Sequence, residues 1–185
     1  MSTHLRKDAL RSRRAILDAT RELYRDDAEA SFAEIAQQAG VGQATVYRHF
    51  ADRRALLVAL ADEDMSALEE RLAGEEVGPG SLEALMREIV AAQLRSQGLI
   101  SAMRTGEVGE TLVRQLTERV RVLFTPRLEA ARAAGLVRTD LTVDDLTIVL
   151  GMIDGPIASL RDRAEREAVA SRAFEIAIDG LRLRQ

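Results

Sequence analysis

The stretch from Ser31 to Phe50, SFAEIAQQAGVGQATVYRHF, constrains this chain more tightly than any other. Ser31 is an N-cap candidate whose hydroxyl can accept a backbone N–H. Glu34, three residues on, completes a capping box. Ile35, Ala36 and Ala39 then give a short helix one apolar face. Gly40 supplies the permissive backbone that a sharp turn between helices requires, and Val41 plugs the corner. A second helix starts near Gln43, with Gly42 or Val41 at its head. It carries Val46 and Phe50 inward and leaves Gln43, Ala44, Thr45, Tyr47, Arg48 and His49 outward or partly so.

The spacing of Ala36, Gly40 and Val46 is that of a helix-turn-helix. Two helices crossing steeply need a small residue at closest approach, a turn that tolerates left-handed backbone, and a shape-filling apolar anchor. Such a pair presents the first turn of its second helix to the major groove of DNA. Gln43 can then pair bidentately with adenine, Arg48 with guanine or phosphate, and Thr45 can touch a thymine methyl or a phosphate.

The run AGVGQATVYRHFADRRALL, Ala39 to Leu57, closely resembles the DNA-binding domain of TetR-family regulators. Ile35, Ala36, Ala39, Gly40, Val41, Thr45, Tyr47, His49, Phe50 and Leu56 match the family pattern, with Arg53 in place of its usual lysine. RRAILDATRELY, Arg13 to Tyr24, resembles the family's first helix, with Ile16, Leu17 and Leu23 as core face. The chain departs from the family at Asp26 to Ala30, DDAEA, where a glycine turn is usual. The resemblance implies a DNA-binding domain over 1–51 and a helical ligand-binding and dimerisation domain over 52–185. It also implies that Tyr47 and His49 meet the DNA backbone. Ser31, Gln43, Ala44, Thr45, Tyr47, Arg48, His49 and Arg53 form the expected DNA-binding set, with more positioning than base reading among them.

Charge agrees with contact at one end. Arg6, Lys7, Arg11, Arg13 and Arg14 crowd the first fourteen residues against Asp8 alone, while residues 57–185 hold 16 basic and 22 acidic residues. A basic arm on an acidic body is the footprint of a protein that touches phosphate locally. An ordinary solvated tail has the same composition. There is no cysteine, and the two histidines, His4 and His49, cannot build a metal cluster or a triad. No nucleophile–base pair or phosphate loop is apparent, so no enzyme, cofactor or metal is expected. GEEVGPG, Gly74 to Gly80, lacks the Lys-Ser or Lys-Thr of a phosphate cradle. No apolar run reaches the ~20 residues of a membrane span, and a cytoplasmic protein without membrane contact is expected.

The rest reads as helix, giving an all-α fold of about nine helices. Asp52 can cap a long helix with Leu57, Ala61, Met65, Leu68 and Leu72 on one stripe. Ser81 is expected to cap the next, with Leu82, Leu85, Met86, Ile89 and Val90 inward, and Gly98 to end it. A long helix from about Glu110 to Ala134 carries Val113, Leu116, Val120, Leu123 and Leu128. Pro126 is expected to kink or divide it. Thr142, with Asp145 at the reciprocal position, caps a helix from Val143 to about Leu160, interrupted at Gly155 and Pro156. A last helix runs from Glu165 to about Arg182.

These two final helices are apolar on two faces, as helices buried on two sides are. Leu146, Val149, Ile153, Ile157, Phe174, Ile178 and Leu181 are the expected homodimer interface, with a thicker core as the alternative. A reader of palindromic DNA needs two-fold symmetry. Met65, Met86, Gln93, Met103, Arg104, Phe124 and Met152 are the candidate lining of an effector pocket, with Asp154 as a further polar contact. The methionines serve equally as core filler. The effector expected is small and hydrophobic or amphipathic, and it releases a dimeric repressor from a double-stranded palindromic operator. The rival reading is a DNA-binding regulator or architectural protein controlled by a protein partner.

Overall fold

The computed structural model describes residues 2–25 and 30–182, with side chains from Lys7 onward. His4, Arg6 and Asp26 to Glu29 of the sequence reading therefore lie outside the side chains described. Nine helices occur among the described residues: α1 Ser2–Leu23, α2 Phe32–Gln38, α3 Gln43–His49, α4 Arg53–Leu72, α5 Ser81–Arg95, α6 Gln97–Arg104, α7 Glu110–Ala133, α8 Val143–Ile157 and α9 Arg163–Leu181. The fold is all-α, and among the described residues the one extended contact is an isolated antiparallel bridge between Val137 and Arg182. None of the described helices is long and apolar enough to cross a membrane. The chain divides into two compact units, Met1–Asp64 with Ser96–Leu112, and Met65–Arg95 with Val113–Gln185.

In the first unit, α1, α2 and α3 pack on one another. Ile16, Leu17, Ile35, Val46, Phe50, Leu56 and Leu57 are buried between them and α4. Thr20, fully buried on α1, donates its hydroxyl to the Ile16 carbonyl at 2.7 Å, which removes its desolvation penalty. Arg21 forks onto Asp64 at 2.9 and 2.8 Å and reaches Glu63 at 3.2 Å, tying α1 to α4. Asp52 caps α4 by accepting the Ala55 N–H at 2.7 Å.

α6 belongs to this unit because of one close approach. Gly98 donates its N–H to the Tyr24 carbonyl at 2.9 Å, just beyond the end of α1. A Cβ at Gly98 would lie 2.8 Å from Tyr24 Cδ1 and 3.0 Å from that carbonyl oxygen. Gly98 therefore sits inside α6 and does not end the preceding helix. Its lack of a side chain serves packing, not termination.

In the second unit, α8 and α9 pack together and both rest on α5. Leu85, Met86, Phe124, Leu146, Ile153, Ile157 and Phe174 lie in a single buried cluster there. Ser81 is the first residue of α5, and its hydroxyl donates to the Gly78 carbonyl at 2.6 Å; it is not the expected acceptor cap. Thr142 and Asp145 do form a reciprocal capping box on α8, and Asp162 caps α9 through the Glu165 N–H.

Pro126 does not divide α7, which runs as one helix from Glu110 to Ala133, and Pro156 lies within the last turns of α8. A proline in a helix withdraws one donor from the carbonyl four residues earlier. For Pro126 that carbonyl belongs to Val122, and both residues are on the exposed side of α7, where solvent can replace the donor. Of the expected inward stripe of α7, Leu128 is buried and Leu116, Val120 and Leu123 pack partly buried against the core. Phe124, Arg127 and Ala131 are also buried, whereas Val113 is exposed.

Candidate nucleic-acid interface

Local chemistry sets the two-helix corner. Ser31 Oγ accepts the Glu34 N–H at 3.3 Å, and Glu34 Oε2 accepts the Ser31 N–H at 2.8 Å and its hydroxyl at 2.7 Å. These bonds, the hydroxyl first, hold the exposed Glu34 carboxyl below its ordinary value. Because the folded pKa is depressed, the help this box gives α2 is present at neutral pH and fades as pH falls through the carboxylate range. At the other end, Gly40 has φ +66°. Its N–H donates to the Gln37 carbonyl at 3.2 Å, and the Val41 N–H donates to the Ala36 carbonyl at 3.0 Å. That pair of bonds is a Schellman motif, which needs a left-handed residue at this position.

Gly42 caps α3 in extended conformation, and its carbonyl accepts the Thr45 N–H at 2.7 Å. Val46 is fully buried and Phe50 nearly so. One face of α3 is thereby anchored. The other carries Gln43, Ala44, Tyr47 and Arg48 exposed, with Thr45 and His49 half-buried. Tyr47 leans on Phe32 of α2, ring centroids 4.9 Å apart, yet keeps 55% of its surface open. Arg48 folds back along its own helix, donating to Thr45 Oγ1 at 2.7 Å and to the Ala44 carbonyl at 3.3 Å.

Charge concentrates beside this face. The Arg13 guanidinium of α1 stands over the Phe50 ring at 5.6 Å from its centroid. His49 is held below its ordinary pKa, first by burial and then by the charges of Arg13 and Arg48. Lys7, Arg11 and Arg14 are exposed along α1.

Ser31 and Arg53 are placed differently from the other expected DNA contacts. Ser31 is committed to its capping box and positions α2. Arg53, in the first turn of α4, approaches Glu107 with its Nε at 2.6 Å from Oε1, and its guanidinium lies over the Tyr24 ring at 5.1 Å. Glu107 was not readable from sequence, because the contact joins residues far apart in the chain.

The expected effector residues are shared between the two units. Met103 and Arg104 belong to the first unit, and Met65, Met86, Gln93, Phe124 and Met152 to the second. Met65, Met86 and Phe124 are core, Gln93 is half-buried, and Met152 is 68% exposed and lines no interior. A cavity of about 260 Å³ in the second unit is bounded by Leu82, Met86, Val137, Ile178 and Leu181, with Glu83 and Arg182 among its lining. Of the expected lining, Met86 alone touches it.

The expected interface residues lie mostly inward in the single chain. Leu146, Ile153, Ile157, Phe174, Ile178 and Leu181 are buried within the unit's own core, and Val149 is half-buried against it. The apolar residues left outward on these helices are Ile148 at 59% and Met152 at 68% on α8, and Ile176 at 58% on α9. Two apolar stripes run along α8, and periodicity alone does not say which turns inward.

Arg127 was missed as well. It is 4% exposed, donates Nη1 to the Leu123 carbonyl at 2.9 Å, and its buried Nε makes no hydrogen bond among the described residues. The available signal was an arginine on the same helical face as Phe124 and Ala131.

Sequence and structure comparisons agree with this geometry. The family model for bacterial regulatory proteins of the tetR family matches residues 16–60, and the model for the SbtR-like transcriptional regulator C-terminal domain matches residues 79–183. The transcriptional repressor LfrR of Mycolicibacterium smegmatis is 37% identical over 84 residues, 45% of this chain and 44% of LfrR, so the match spans less than half of that relative. A helix-turn-helix-type transcriptional regulator of Mycobacterium bovis is 31% identical over 140 residues, 70% of each chain. The crystal structure of a TetR transcription regulatory protein from Mycobacterium vanbaalenii has a TM-score of 0.69 at 29% identity, covering 97% of this chain and 99% of that one.

Proposed function

Because the chain belongs to the TetR family of transcriptional regulators, we propose that it is a dimeric repressor, released from a palindromic operator by a small molecule. The observation that carries this reading is the outer face of α3. Gln43, Ala44, Tyr47 and Arg48 stand exposed on a helix whose opposite side is locked by Val46 and Phe50. In this reading residues 1–51 contact DNA, and 52–185 bind effector and partner copy.

Gln43 reads bases, while Tyr47, His49, Arg53 and the α1 cations meet phosphate. Gln43→Ala is expected to cut discrimination between a selected operator and a scrambled duplex by about 1–3 kcal/mol, with little change on the scrambled duplex. Competition binding measures it. An unchanged specificity ratio removes Gln43 from the base-reading set.

The dimer face is reassigned to Ile148, Met152 and Ile176, whose exposure supports a partner copy laid across α8 and α9. α4 gives residues 53–64 to the first unit and 65–72 to the second, and so offers a covalent line between them. An effector coupling of ~1–3 kcal/mol would change operator affinity roughly 5- to 150-fold.

Arg127 supports an effector that carries an acidic group on an apolar body. A buried guanidinium with an idle donor is costly, and a carboxylate is the acceptor that fits it best. Decanoate, but not decanol, is expected to raise the melting temperature, by roughly 2–4 °C per kcal/mol of binding. The rise should vanish in Arg127→Met. Equal shifts with both compounds, or a shift that survives the substitution, would rule this class out.

A further inference from the structure

We infer that Glu107 is a positioning residue for DNA binding: it occupies Arg53 in the free protein as an internal stand-in for a phosphate, and so holds operator affinity down. This inference rests on the phosphate role proposed for Arg53.

Separate contacts fasten the segment carrying Glu107 to the first unit. The Gly98 N–H reaches the Tyr24 carbonyl at 2.9 Å, and the missing side chain of Gly98 lets the Tyr24 ring lie against α6. Gly109, with φ +84°, receives Arg54: a Cβ there would be 2.3 Å from Arg54 Nη2. Between these two anchors Glu107 meets Arg53 at 2.6 Å, while the same guanidinium covers the Tyr24 ring. Neighbouring arginines at the head of α4 are thus both turned toward residues 107–109, and Arg53 has two simultaneous partners there.

The pair is built to exchange. Its side chains keep 30% and 33% of their surface open, so water and incoming anions can reach the outer part of the guanidinium, although Nε itself is buried. The approach is close but off-line, since Arg53 Nε makes no aligned hydrogen bond in this position. A carboxylate held this way competes with a phosphate oxygen for the same guanidinium, because both are anionic acceptors that suit it. Whatever displaces residues 97–109 from Tyr24 and Arg54 also changes how freely Arg53 meets DNA. That gives α6 a chemical line to DNA affinity.

The test is binding of the full chain to a mixed-sequence duplex across a salt series, with Glu107→Gln, Arg53→Ala and the double variant, each checked by thermal melting. Glu107→Gln should tighten binding about two- to five-fold, the range of a part-exposed ion pair. Arg53→Ala should weaken binding and reduce the slope of log affinity against log salt by about 0.9, the signature of one lost phosphate contact. In the Arg53→Ala background Glu107→Gln should then give no gain. Glu107→Ala should repeat the gain if the glutamine variant melts early.

If Glu107→Gln leaves affinity unchanged or weaker while Arg53→Ala lowers affinity and slope, the competition is overturned and the phosphate role stands. If Arg53→Ala moves neither quantity, the phosphate role fails and the inference goes with it. A gain that persists without Arg53 is a general charge effect and also overturns it.

Discussion

Replacing Ile148 and Met152 together by glutamate is expected to turn the protein into a folded monomer that no longer holds its operator. The two side chains lie one helical turn apart on α8, more than half exposed, so the charges should cost the isolated chain little. Against a second copy they would be buried without counter-ions, a penalty of several kcal/mol per charge. Two heads linked in one dimer bind a palindrome with an avidity of roughly 10²- to 10⁴-fold over a single head, and that factor should disappear. Sedimentation gives the mass and an operator titration gives the affinity. A variant that still sediments as a dimer would move the interface away from this face of α8.

Phe50→Ala has the next largest expected effect, a loss of about 3–5 kcal/mol. The ring is 3% exposed, lies beneath Arg13, and closes the end of α3 where the Phe50 N–H reaches the Val46 carbonyl at 2.9 Å. Truncation opens a cavity at the point where α1 and α3 meet and removes the ring that holds Arg13. A domain stable by ~5–15 kcal/mol has little left after such a loss. The denaturation midpoint should fall sharply and DNA binding with it. A midpoint within error of the parent would show that Phe50 is not the keystone of the corner.

What could be read from sequence was local. The Ser31–Glu34 box, the left-handed turn at Gly40, the Asp52 cap and the Thr142–Asp145 box each depend on residues within a few positions of one another, and each forms as read. The exposed face of α3 followed from the same reasoning, since Val46 and Phe50 leave the remaining positions outward. Features set by long-range packing were not legible. Gly98 reads as a helix end in sequence, whereas its close approach to Tyr24 exists only in the packed fold. The direction of α8 was ambiguous, because Leu146, Leu150, Ile153 and Ile157 make one apolar stripe and Ile148 with Met152 another. Only α5 and α9, by covering the first, decide between them. Arg127 and the Arg53–Glu107 pair belong to the same class: charges whose partners, or want of them, exist only once the helices are packed.

The central claim is that two copies of this chain read one palindromic site. Genomic DNA fragments selected by the full-length protein, followed by a titration of the enriched duplex at concentrations well above Kd, test it most directly. Enrichment of a palindrome saturating at two chains per half-site pair is the expected result. Saturation at one chain per duplex, or enrichment of no common sequence, would contradict it.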